Sequence, residues 1–66
     1  MKVKYIVWIK CRFDDCGDKV ENPVWEPNGD GPMTSKTAER VAREIREDFG
    51  VRCQAKFLPV GEEPFV

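Results

Sequence analysis

Polar and apolar residues alternate along Lys2–Phe13 with the two-residue period of a β-strand. Val3, Tyr5, Val7, Ile9, Cys11 and Phe13 fall on one side and require a core. Lys2, Lys4, Ile6, Trp8, Lys10 and Arg12 fall on the other, where four cations surround an isoleucine and a tryptophan. A side meant only for water does not carry that pattern, which marks it as a contact surface.

The period changes over Ser35–Phe49. Ala38, Val41, Ala42, Ile45 and Phe49 recur at three- and four-residue steps, the stripe of a helix resting on a core. Thr34 or Ser35 caps its start, and Met33 is placed to staple onto Ala38. Gly50 stands at the terminating position, from which Val51 folds back against Ile45. Alternation then resumes, with Val51, Cys53, Ala55 and Phe57 inward and Arg52, Gln54, Lys56 and Leu58 outward. Pro59 and Gly61 end this strand, and Glu62–Val66 reads as a flexible tail.

Between the first strand and the helix, Asp15-Cys16-Gly17-Asp18 predicts a tight turn, although Cys-Gly is not a favoured hairpin pair. With Cys16 and Gly17 as the two loop residues, Phe13 faces Val20 and Ile9 faces Val24, all inward. The same register sets Arg12 against Glu21 and Trp8 against Trp25, all outward. Opposite charges and paired aromatics favour it. It gives a strand over Lys19–Glu26, held to a sheet edge by Pro23. Pro27–Met33 is the loop into the helix.

The order strand-strand-helix-strand, with a right-handed crossover, gives a single small α+β domain. It spans residues 1–61, followed by the tail at 62–66. The sheet is three-stranded and antiparallel in the order 2-1-3, with the helix packed on one face. At 66 residues such a core is near the lower limit for folding unaided.

Charge sharpens the picture of the open side. The chain has 11 basic and 12 acidic residues, a net charge of −1, which speaks against indiscriminate affinity for polyanions. Yet in the predicted sheet the side away from the helix gathers Lys2, Lys4, Lys10, Arg12, Lys19, Arg52 and Lys56, against Glu21 alone. Ile6, Trp8, Trp25 and Leu58 form an apolar island at its middle. Three readings follow. The island is covered by loops or the tail, through Phe65 for example, while the cations deter aggregation. Or an aromatic centre with a charged rim binds a partner protein or a second copy. Or the tryptophans stack on the bases of single-stranded RNA or DNA while the cations meet phosphates. The sequence favours a non-enzymatic binding module, with a partner protein or homodimer first and nucleic acid second.

Candidate chemistry is thin. The chain has no histidine, which removes Ser-His-Asp and Cys-His pairs. Cys16 lies among Asp14, Asp15 and Asp18, surroundings that disfavour a thiolate. The helix should return Cys53 near Cys11, with Cys16 beyond. Three thiolates and Asp14 or Asp15 would make a zinc site lacking its usual fourth cysteine or histidine, so core thiols explain them better. A Cys11–Cys53 disulfide forms on oxidation if register allows. An odd cysteine count and no apolar leader predict reduced thiols in the cytoplasm. Gly29–Thr37 only loosely echoes a phosphate loop, and helix capping accounts for it. The aspartates of the turn lack the further oxygens that calcium requires. No cofactor, metal or membrane is expected.

Overall fold

The computed structural model describes residues 3–64. Lys2, Phe65 and Val66, which figured in the expectations above, lie outside the described residues. Strand β1 (Tyr5–Cys11) lies at the centre of an antiparallel sheet, between β2 (Glu26–Pro27) and β3 (Cys53–Pro59). The helix α1 (Ser35–Phe49) packs on β1 and β3. The architecture is the expected β-β-α-β sheet in the order 2-1-3.

The core follows from the two periodicities meeting. Val7 and Ala55 from the sheet pack against Ala38, Ala42 and Ile45 from the helix, all buried. The small alanines let α1 approach the sheet closely. Tyr5, Ile9, Met33, Val41, Phe49 and Phe57 close the margins. Tyr5 and Phe57 meet edge to face, with ring centres 5.7 Å apart.

Thr34 caps α1. Its Oγ1 accepts from the Thr37 N–H at 3.4 Å and donates to the Thr37 hydroxyl at 3.0 Å, and its carbonyl accepts the Ala38 N–H. At the other end Gly50 takes φ 57° and ψ −130°, a conformation open to glycine, and its N–H donates to the Arg46 carbonyl. The end differs from the expected fold-back. Gly50–Arg52 form a 3-10 turn that carries Val51 outward, so Val51 is 88% exposed and does not pack on Ile45.

The β1–β3 ladder runs from Tyr5 opposite Pro59 to Cys11 opposite Cys53. Those two cysteines are joined in a disulfide, and Cys16 is the exposed free thiol. The reduced-thiol expectation therefore fails for two of the three cysteines, and with it goes the support that cysteine usage lent to a cytoplasmic location. Two of the thiols required by the zinc arrangement are also consumed.

The arm between β1 and α1 departs most from expectation. Its turn has three loop residues, Asp15, Cys16 and Gly17, rather than two. The Gly17 N–H donates to the Asp14 carbonyl, and the Asp14 N–H donates to the Asp18 carbonyl. Gly17, at φ 87°, supplies the left-handed residue that such a loop needs. The Asp14 carboxylate accepts from the N–H groups of Cys16 and Asp18, both at 2.9 Å. At the tip Phe13 consequently faces Lys19, not Val20. Farther down, extra residues around Asn22, itself left-handed at φ 53°, shift the pairing again. Trp8 faces Pro27 rather than Trp25, and Ile9 faces Glu26 rather than Val24. Val24 is 59% exposed, and the expected Lys19–Glu26 strand shrinks to Glu26–Pro27.

Two further segments are tied down. Met33, at the end of the connecting loop, exchanges both backbone hydrogen bonds with Tyr5, and the Asn28 N–H donates to the Val7 carbonyl. After β3, Val60 donates to the Lys4 carbonyl and Glu62 to that of Pro59, turning the chain about Gly61. Pro64, within the segment expected to be a flexible tail, is buried.

Candidate functional site

The ladder decides which side chains share the sheet face away from α1. Ile6 faces Leu58, Trp8 faces Lys56, and Lys10 faces Gln54. The inward set of β1 and β3 supplies Val7 and Ala55 to the core, so these even-numbered residues stand on the opposite side. Lys4 and Arg12 extend the row at its two ends, and both are exposed.

Trp25 joins this face although the predicted pairing does not form. The slip seen at Trp8 and Pro27 is by two residues, and a two-residue slip preserves the face on which a side chain lies. The Trp25 ring, half-buried, has two ammonium groups over it. Lys56 Nζ lies 4.6 Å from its centre and Lys10 Nζ 5.7 Å. Both are within the range at which the negative face of an indole attracts a cation. The lysines come from different strands, so they hold the ring across the sheet from β2 toward β3.

Trp8 stands apart from this group. At 7% exposure it is buried although α1 lies on the other side of the sheet. It is a foundation under the face and offers a partner almost no surface.

Two expected cations leave the face. Arg52 belongs to the 3-10 turn, and its guanidinium lies 5.5 Å from the centre of the Phe49 ring, at the end of α1. Lys19 faces Phe13, and the one-residue slip at the tip moves it to Phe13's side of the hairpin. The structure thus brings together Lys4, Ile6, Lys10, Arg12, Trp25, Lys56 and Leu58 above Trp8, and does not bring Lys19 or Arg52 into their company. Lys2 lies outside the described residues.

The sequence reading missed a shallow groove on the helix side, lined by Ile9, Cys11, Val20, Asn22, Pro23, Val24 and Glu26. One signal was available. A single helix about 10 Å across covers roughly two strands spaced about 4.8 Å apart, so the third is left open.

Among the described residues no three histidine, cysteine, aspartate or glutamate side chains converge as metal donors, and no helix is long and apolar enough to cross a membrane. The chain matches no protein-family model, no curated protein and no solved structure.

Proposed function

We propose that this chain is a small non-enzymatic binding module whose sheet face takes an acidic surface of a partner protein, centred on Trp25. The observation that carries the reading is the Trp25 ring with the ammonium groups of both Lys10 and Lys56 over it. The ring offers flat apolar area at little cost in side-chain freedom, the quality that makes tryptophan frequent at interface centres. Ile6 and Leu58, facing each other on the ladder, extend the apolar area on one flank. Lys4 and Arg12 continue the positive rim, and the β1 and β3 positions of this face carry no acidic residue. Carboxylates of a partner meet the lysines while its apolar side chains cover the ring. Face-to-face pairing of two copies would set cation against cation, so charge favours an acidic partner over a copy on this surface.

Single-stranded nucleic acid is the second reading, supported by the same ring with its two cations on an open antiparallel sheet. It ranks lower because the second stacking platform, Trp8, is buried.

The test is titration of isotope-labelled protein with Glu- and Asp-rich peptides carrying one leucine or phenylalanine, and separately with a mixed-sequence single-stranded oligonucleotide. The protein reading expects the Trp25 indole and the Lys10 and Lys56 amides to shift with the peptides, and the response to vanish in Trp25→Ala. Larger shifts with the oligonucleotide, weakening steeply as salt rises, would put nucleic acid first. Silence toward both at low salt would sink the binding face.

A further inference from the structure

β3 is an edge strand; its outer side is engaged at Pro59, whose carbonyl accepts the Glu62 N–H, but at Cys53, Ala55 and Phe57 the outward backbone groups have no partner among the described residues. The Arg12 N–H donates to the Arg52 carbonyl, and the Val60 N–H to that of Lys4. Residues of even number therefore bond β3 to β1, while Cys53, Ala55 and Phe57 turn their N–H and C=O groups away from it. Among the described residues none of these outward groups takes part in a turn, cap or side-chain hydrogen bond. Backbone groups left open along a strand edge are a template for another strand, which would satisfy them.

Edges of this kind are commonly guarded by a charge, lysine above all. Lys56 is the charged residue of β3, but its ammonium rests over Trp25, on the side of the sheet away from the free edge. The guard is turned inward. Pro59, which has no N–H, stands at the end of the strand and leaves its middle open.

We propose that β3 is a self-pairing interface, through which two copies of the chain join antiparallel with Ala55 opposite its own counterpart. The occupant follows from register. With Ala55 opposite Ala55, Cys53 faces Phe57 of the second copy and Phe57 faces Cys53, so each facing pair exchanges both its bonds. On the other side of the sheet Gln54 faces Lys56 of the second copy, and Lys56 faces Gln54. A slip that sets Ala55 against Phe57 puts Lys56 against Lys56, a like-charge pair. The slip the other way sets Phe57 against Val51, which lies in the 3-10 turn and outside the strand. A register centred on Phe57 spends a bond on Pro59. The chain is thus complementary to itself in one alignment. The product is a continuous sheet ordered β2-β1-β3-β3-β1-β2, with the two helices side by side on one face. This interface does not rest on the acidic-partner reading, because it uses the edge and leaves Trp25 uncovered.

The experiment pairs sedimentation equilibrium with amide hydrogen exchange across a concentration series, on the native sequence and on Gln54→Glu and Gln54→Lys. Gln54 is exposed, and far-UV circular dichroism checks that each variant folds. The expected result is protection of the Ala55 and Phe57 amides that rises with protein concentration. Gln54→Glu sets an opposite charge against Lys56 twice over and should tighten the dimer, whereas Gln54→Lys should loosen it, each by roughly two- to thirtyfold. Unprotected Ala55 and Phe57 amides up to about 1 mM protein would overturn the proposal. So would a dimer whose dissociation constant moves in the same direction in both variants. So would protection that appears only on adding an acidic peptide, which would make the edge a site for a foreign strand.

Discussion

Lys56 faces Trp8 on the β1–β3 ladder while its ammonium lies 4.6 Å from the centre of the Trp25 ring. One lysine thus spans both tryptophans, lying beside the buried one and over the half-buried one. The two indoles have different duties, and substitution separates them.

Trp8→Ala should cost about 3 kcal/mol or more of unfolding free energy, because it empties a well-packed site. Trp25→Ala should cost about 1–2 kcal/mol, the loss of two partly solvated cation–π contacts and some apolar cover. Urea unfolding followed by far-UV circular dichroism measures both, and equal losses would contradict the distinction.

Reduction of Cys11–Cys53 should be felt by the whole fold. The two cysteines are 42 residues apart in sequence, and chain-entropy bookkeeping gives about 4 kcal/mol for a loop of that size. Urea midpoints with and without a phosphine reductant should differ accordingly, while Cys16→Ser should leave the midpoint near its native value. Thiol counting by mass spectrometry should find one reactive cysteine before reduction and three after it.

Asp14 organises the hairpin tip through its carboxylate. Asp14→Ala should destabilise by about 1 kcal/mol, leaving the Cys16 and Asp18 N–H groups to water, and Asp14→Asn should recover most of that loss. Amide exchange at Cys16 and Asp18 reports it directly: rates should rise in the alanine variant and stay near native in the asparagine one.

Thr34→Ala removes the side-chain cap of α1 and should cost about 1 kcal/mol, with Thr34→Ser close to neutral. Thermal melts of the three proteins decide it. A Thr34→Ser loss as large as the alanine one would show that the threonine methyl matters more than the hydroxyl.

Long, strongly periodic segments were legible from the residues alone. β1, α1 and β3 each repeat their pattern over enough residues for one dissenting position not to matter, and antiparallel order with a right-handed crossover then leaves little choice of topology. The Asp14–Trp25 arm was less legible because its register hangs on turn chemistry. Whether Gly17 sits inside a two-residue loop or closes a three-residue one changes every pairing beyond it, and the left-handed Asn22 changes them again. Trp25 kept its predicted face because its slip was even, and Lys19 changed face because its slip was odd. Arg52 was misplaced for a different reason. Strand alternation was extended through residues that the helix end draws into a 3-10 turn. The Cys11–Cys53 pairing stood in the sequence as one option among several, since it depends on how many residues that turn consumes.

The Cys11–Cys53 bond also determines what survives a cut. The hairpin, β2, the connecting loop and α1 all lie between the two cysteines, so they form one covalent ring. Lys19, exposed on the projecting arm, is an accessible place for a protease to open that ring. A single nick there leaves the molecule in one piece of unchanged apparent size, and its two fragments part only when a thiol reductant is added.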